Sequence, residues 1–465
     1  MFLQLAEPLT SNVIYPFAPQ LIRDLGITNG NESQVGYYVG LLESIFFVTQ
    51  AMTVLSWSRI SDQVGRKPVI LTGLFGLSVS MYCFGLSTTF WGLLLSRSLN
   101  GALNGNTSVM KSMTAELTDS TNISKAYAYM PIAWSTGGTL GPLIGGSLSR
   151  PADRFPRLFG QNEFLRKYPY FLPCAISATF SAVACVVTFL FLKETVSSPT
   201  PIREFLWFKK GKVELTTQGT ENLQVEEGTP ISSLIPISNV SQPIDELSKA
   251  GKPLAFRALL TRRVIIAAAN YASLSLVDIS FRAIHPLFLS TPIHLGGLGL
   301  PPPTIGTILS IFGILNGVFQ VFFFARINDR WGSKRAFCLG IVSGMPMFAS
   351  FPVINLLARH HGYSMMVWLV VGFQIVMSIA VCFSYGAIFI FIVNASPNRA
   401  SLGATNGLSQ MSVSIVRAIG PAVANSLFSI SMDKGYMSGH LVYYILLSIV
   451  CVSLVIASML PPRFE

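Results

Sequence analysis

Apolar residues fall in long blocks separated by short polar breaks. A bilayer-crossing helix needs about 20 mostly apolar residues. Windows of that length predict twelve helices, at 1–24, 35–57, 68–88, 90–115, 124–149, 168–192, 263–290, 303–325, 336–358, 364–393, 401–430 and 440–460. Six precede one long polar stretch and six follow it. The pattern predicts an all-α membrane protein with twelve transmembrane helices in two pseudo-symmetric six-helix bundles, residues 1–193 and 261–465, joined by a linker at 194–260. The linker gathers Arg203, Lys209, Lys210, Lys212, Glu214 and Glu221, then a Ser/Pro/Ile-rich run. Its charges and breakers predict a cytoplasmic, largely unstructured segment. Residues 202–209 read equally as an amphipathic helix on the membrane surface or as plain linker.

Composition agrees. Charged residues are 11% of the chain and hydrophobic ones 51%, whereas soluble domains carry about 25% charged residues. That excludes an ordinary soluble enzyme, and 33 Phe exclude a disordered chain. The net charge of +11 reads as orienting loop charge rather than as a nucleic-acid surface. With the N-terminus inside, the inner loops and termini hold 21 Lys and Arg, the outer loops 8, and the spans 3. The outer loop 150–167 opposes the bias with five basic residues. Cys83, Cys174, Cys185, Cys338, Cys382 and Cys451 lie in or at the ends of apolar blocks and read as small buried hydrophobes without disulfides. No signal peptide is evident. Glu7 sits only about 9 Å along a helix from Met1, so either the first helix is short and shallow or residues precede this sequence.

The halves echo each other. Arg59-Ile60-Ser61-Asp62-Gln63-Val64-Gly65-Arg66-Lys67 follows the second span, and Arg326-Ile327-Asn328-Asp329-Arg330-Trp331-Gly332-Ser333-Lys334-Arg335 follows the eighth. Arg, Ile, Asp and Gly recur at a constant offset of 267. Gly141-Pro142 and Gly420-Pro421 repeat in spans five and eleven. Parallel six-helix repeats are a known transporter architecture.

These motifs resemble those of the major facilitator superfamily, in its twelve-helix branch of drug:proton antiporters. Asp62, Gly65, Arg66 and Lys67 match the superfamily's cytoplasmic loop motif, with Ser58 and Gln63 departing from it. Arg97-x-x-x-Gly101 resembles its intramembrane arginine motif. Gly137, Gly141, Pro142, Gly145 and Gly146 resemble its antiporter motif, whose packing the resemblance places at the inner ends as a seal against leak. Ala6-Glu7-Pro8, Gly403 to Gly407 and Arg417 to Pro421 resemble the zinc-induced-facilitator-like members of fungi and plants. The resemblance implies proton-coupled export of a small organic molecule across the plasma or vacuolar membrane, by a monomer without a cofactor. A passive facilitator and a non-transporting sensor of the same fold stay open.

Charges inside spans cost free energy unless paired or hydrated, and so mark function. Glu7, Glu43, Arg97, Asn100, Asn104, Asp278, Arg282 and Arg417 are the candidates for proton coupling or substrate binding. Asp278 and Arg282, four apart, can pair within one helix. His285 reads as a proton shuttle or, equally, as a surface residue. Asp62, Gly65, Arg66, Lys67, Asp329, Gly332, Lys334 and Arg335 form a candidate cytoplasmic gate; the alternative is topology control by charge alone. The five His show no metal-ligand spacing. No Walker sequence or nucleophile elbow is present in the chain.

Of the Asn-x-Ser/Thr sequons, only Asn31-Glu32-Ser33 lies in a predicted outer loop. In a secretory-pathway host, a glycan is expected at Asn31 if anywhere, and outside protease should spare the linker. A glycan at Asn239, or linker cleavage in intact cells, would invert the orientation.

Overall fold

Hydrocarbon offers no partner to backbone N–H and C=O groups, so a spanning chain closes its hydrogen bonds within helices. The computed structural model describes residues 2–104, 109, 110, 113, 123–194, 260–397 and 402–461. Residues 195–259, nearly all of the expected linker, lie outside the described residues.

The first six helices are α1 (Phe2–Asn12), α2 (Val35–Val64), α3 (Arg66–Leu86), α4 (Phe90–Leu103), α5 (Ile123–Leu148) and α6 (Phe171–Phe191). The second six are α7 (Arg262–Ser290), α8 (Pro302–Phe322), α9 (Ser333–His361), α10 (Met365–Ala395), α11 (Leu402–Lys434) and α12 (Leu441–Ser458). Nine helices among the described residues are long and apolar enough to cross a membrane; α1, α4 and α5 complete the two sets. Local chemistry sets several starts: Thr89 accepts from the Gly92 amide at 3.2 Å and Thr261 from the Val264 amide at 3.4 Å. All six cysteines are free, and Cys83 and Cys451 are exposed rather than buried.

The first span differs from its expected form. It breaks over residues 13–17 and resumes as a short helix, Ala18–Asp24. Pro16 and Pro19 supply the reason, since proline has no amide and disfavours helix in the residue before it. The Ile14 and Tyr15 amides make no backbone hydrogen bond among the described residues.

Packing follows a pseudo-twofold. Within the halves, α1 packs on α5 and α3 on α6, matched by α7 on α11 and α9 on α12. Between the halves, α2 packs on α11 and α5 on α8, and exchanging the halves maps one seam onto the other. Lipid gives no hydrophobic drive between helices, so close approach and hydrogen bonds hold such seams. A methyl group on Gly146 would come within 2.9 Å of the Gly306 Cα, and one on Gly40 within 2.9 Å of the Pro421 carbonyl. Ser135 Oγ donates to the Gly313 carbonyl at 2.6 Å, Ser310 Oγ to that of Thr139 at 2.8 Å, and the Ala422 amide to Ser44 Oγ at 2.9 Å.

At the end that the basic-residue bias makes outer, two clasps join the halves. Arg23 bonds Glu32 at 2.8 Å and, across the seam, Ser290 Oγ at 2.5 Å and its carbonyl at 3.0 Å. Ser33 Oγ lies 3.1 Å from Asp433 Oδ1. Nearby, Tyr170 donates to Asp24 at 2.5 Å.

The repeated loops share one backbone shape: Gly65 has φ 115° and ψ 159°, Gly332 φ 78° and ψ 150°. That region is open essentially to glycine alone, at about 1–3 kcal/mol for other residues. A methyl group on Gly65 would also meet the Glu194 carboxylate at 2.5 Å, whereas Gly332 has open space around it. Both glycine-to-alanine variants should therefore lower the thermal midpoint of the purified protein, Gly65→Ala by more. Equal losses would contradict the reading of these loops.

Candidate functional site

Each half carries one charged network, and the two face the seam. In the first half, Arg97 and Asn100 of α4 and Asn104, the residue just past its end, are all buried, at 4%, 2% and 1% exposure, the first two on the face that their i, i+3 spacing predicts. Asn104 Nδ2 donates to Glu7 Oε1 at 2.9 Å, linking α4 to α1. Gln50 of α2 reaches the Asn104 carbonyl at 3.5 Å. Arg97 lies over the Phe46 ring, 4.7 Å from its centroid, and its Nε and Nη1 are buried without a hydrogen bond. Glu43, 5% exposed, interacts with Arg97 electrostatically without a hydrogen-bonded contact.

In the second half, Asp278 and Arg282 form the expected pair on α7, with Arg282 Nε 2.9 Å from Oδ1 and 3.0 Å from Oδ2. Tyr385 of α10 donates to Asp278 Oδ2 at 3.0 Å, and the Cys382 thiol lies 3.8 Å from Oδ1. Arg417 of α11 bonds Ser275 Oγ at 3.2 Å and interacts with Tyr385 and Asp278. His285 is not a surface residue: it is 2% exposed and stacks on Phe281, with ring centroids 4.9 Å apart.

Tyr15, which sequence reasoning missed, connects the two. The break in the first span sets it on the wall of a cavity between the halves, with Asn12, Asp278, Phe281, Arg282 and His285. It lies within electrostatic reach of Glu43 and Arg97 of its own half and of Arg282 and Arg417 of the other. Irregular backbone at membrane depth is tolerated where it lines such a cavity. The signal was present in Tyr15-Pro16, a dipeptide that disfavours continued helix.

The loop-motif residues bond within their own halves. Glu194, just past α6, accepts the Arg66 and Lys67 amides at 2.8 and 3.0 Å. A carboxylate there satisfies free amides at the start of α3 and meets the positive end of its dipole. Arg66 Nη1 donates to Ser61 Oγ at 2.5 Å, and Lys67 Nζ to the Phe189 carbonyl at 2.9 Å. In the second loop, Lys334 donates to the Ser458 carbonyl at 2.9 Å and to that of Leu460, at the end of α12. Arg335 is exposed. The side chains of Asp62 and Asp329 lie outside the described residues.

The glycine run of α5 has two faces. Methyl groups on Gly137 and Gly141 would meet Pro8 and Asn12 at 2.6 and 2.9 Å, and one on Gly145 would overlap the Val13 carbonyl. Gly146 instead faces Pro302 and Gly306 of α8, and the Pro142 carbonyl lies against Gly306. On the predicted orientation this packing runs from mid-depth to the outer end, not at the inner ends that the family resemblance implies. The Asn31 side chain caps its own turn, accepting from the Ser33 amide at 3.0 Å, and shares with Asp433 the one hydroxyl hydrogen of Ser33. Among the described residues, no group of three or more His, Cys, Asp or Glu could hold a metal ion.

Two pseudo-symmetric helical bundles with charged groups gathered between them define a membrane transporter. The family model of the Major Facilitator Superfamily matches residues 1–297 and 272–464. The chain belongs to that superfamily. It is 29% identical to Protein ZINC INDUCED FACILITATOR 1 of Arabidopsis thaliana, over 96% of this chain and 87% of that one. It is 28% identical to the Major facilitator superfamily multidrug transporter mfsB of Aspergillus fumigatus, over 93% and 78%. A D-xylose-proton symporter shares the fold, with a TM-score of 0.66 at 12% identity over 100% of this chain and 97% of that one.

Glu194→Ala removes two charge-assisted bonds to amides. The expected loss is about 1–2 kcal/mol, the lower part of the range for such bonds because the carboxylate is partly exposed. Glu194→Gln should lose less. Chemical unfolding in detergent measures both; an alanine variant as stable as the parent would contradict the capping role.

Proposed function

We propose that the protein exports a small organic molecule across the plasma or vacuolar membrane, as a monomer, in exchange for protons by alternating access. The observation that carries this reading is the Asp278–Arg282 pair on the wall of the cavity between the halves. A passive facilitator has no need of an ionisable carboxylate there. The multidrug relative supports export of organic cargo.

The cycle follows from where the bonds lie. The seam is fastened from mid-depth to the outer end, by Ser135–Gly313, Ser44–Ala422, Ser33–Asp433 and the Arg23 clasp. The gate residues Lys67 and Lys334 donate to carbonyls of their own halves. Both facts support a resting state open toward the cytoplasm. Opening outward breaks the outer clasps and frees the loop motifs to latch the inner ends.

Coupling is assigned to Asp278, with Glu43 and Glu7 as the further carboxylates of the path. In the pair, Arg282 Nε faces both oxygens of Asp278. Cargo or a change of conformation must therefore separate the pair before the carboxylate takes a proton. Arg97, Asn100, Asn104 and Arg417 are assigned to binding and to compensating the moving charge.

In proteoliposomes with and without a pH gradient, Asp278→Asn should abolish gradient-driven accumulation of labelled cargo while passive exchange persists. It leaves Arg282 without its partner. That costs less than the roughly 3–5 kcal/mol of a fully buried pair, because Arg282 reaches the cavity. Asp278→Asn with Arg282→Gln should recover stability but not coupling. Accumulation at the parental rate by the single variant would make Asp278 structural.

A further inference from the structure

We propose that the cargo is a zwitterion on a flat apolar body, its acidic group held by the terminal nitrogens of Arg282 and its amine displacing Arg282 Nε from Asp278. The inference deepens the exchange reading and rests on it, because an amine on Asp278 excludes the proton from the same oxygens.

The geometry of the pair is the first ground. Arg282 meets Asp278 through Nε alone, at 2.9 and 3.0 Å. Guanidinium often binds a carboxylate by two parallel bonds, and here the edge formed by Nη1 and Nη2 is left open. Nη2 approaches only the Cys382 sulfur, at 3.6 Å, and Nη1 makes no hydrogen bond among the described residues. An acidic group of the cargo can take that edge without breaking the pair. Asp278 offers no such opening. Oδ1 receives Nε and the Cys382 thiol, and Oδ2 receives Nε and the Tyr385 hydroxyl. That Nε–H is one donor shared by both oxygens, so three donors face about four lone-pair positions, and an ammonium group that gives Asp278 two N–H bonds displaces Nε.

Charge balance is the second ground. Asp278 and Arg282 neutralise each other. A cargo with one positive charge would take Asp278 and strand Arg282; one with one negative charge could sit on the open edge of Arg282 but would add to the neutral pair a charge that nothing offsets. Breaking a shielded pair from one side is strongly unfavourable, whereas a cargo carrying both charges leaves neither partner alone. Arg417, whose field reaches Asp278, steadies the carboxylate while the exchange occurs.

The cavity wall supplies the third ground. Phe281, Leu309, Phe312, Met347 and Val381 give the wall beside the pair apolar surface. His285 lines the same cavity, is 2% exposed, and leaves its buried Nε2 without a partner. A buried polar atom facing a cavity is satisfied when a ligand bonds it.

Three probes share one ring system and differ in charge: tryptophan is a zwitterion, tryptamine a cation and indole-3-propionate an anion. Binding to the full-length protein in detergent at neutral pH is read from the thermal midpoint against probe concentration. Tryptophan should bind at least about tenfold more tightly than either of the others, a difference of about 1.4 kcal/mol. Arg282→Gln should move the preference to tryptamine by exposing Asp278. Arg282→Lys, which keeps the charge and the fold but removes the two-nitrogen edge, should weaken tryptophan by a similar factor. Binding of none of the three, equal binding of all, or preference of the parent for a singly charged probe would overturn the proposal. No pH gradient enters this measurement, so a failure of proton coupling leaves its outcome unchanged, and a failure of the charge preference leaves coupling intact.

Discussion

Charge in a low-dielectric interior must be compensated, and much of this molecule follows from that constraint. The spans hold few ionisable groups, and Glu43, Arg97, Arg282 and Arg417, from α2, α4, α7 and α11, lie within electrostatic reach of Tyr15 on the cavity between the halves. Each is compensated in its own way. Asp278 has Arg282, Tyr385 and Cys382. Glu7 has Asn104. Arg97 has the face of Phe46 and the field of Glu43, with two N–H positions left unbonded. The groups least completely satisfied are the ones a moving proton or cargo can serve.

The internal repeat shows the same problem solved by different chemistry. Both halves turn between their second and third helices on a glycine at positive φ. In the first half, the start of α3 is tied to the end of α6 by the Glu194 carboxylate. In the second, the start of α9 is tied to the end of α12 by Lys334 on backbone carbonyls. A carboxylate suits the amides at a helix start, and an ammonium suits the carbonyls at a helix end. Each tie joins helix ends of one half.

Much of this was legible in the sequence, for local reasons. Twenty-residue apolar windows locate helices because a bilayer sets their length. The Asp278–Arg282 pair follows from a spacing of four on one helix, and the shared buried face of Arg97 and Asn100 from helical periodicity. Contacts that depend on tertiary placement were not legible. Tyr385 and Cys382 reach Asp278 from α10, more than 100 residues away. Arg23 counted only as an outer loop charge, although it clasps Ser290 across 267 residues. Glu194 read as the first charge of a linker. The break that presents Tyr15 was signalled by Pro16 and Pro19, but hydrophobicity alone ran straight through it.

In the proposed exchange cycle the seam is closed at the outer end and open at the cytoplasmic end at rest, and the two arrangements alternate. Spin labels on a cysteine-free background test it directly, one pair at Gln34 and Tyr436 outside and another at Ser56 and Asn406 inside. At rest, the outer pair should give a short, narrow distance distribution and the inner pair a longer, broader one. Conditions that drive exchange should lengthen the first and shorten the second together. Distances that stay fixed in both pairs, or that lengthen at both ends at once, would contradict the account.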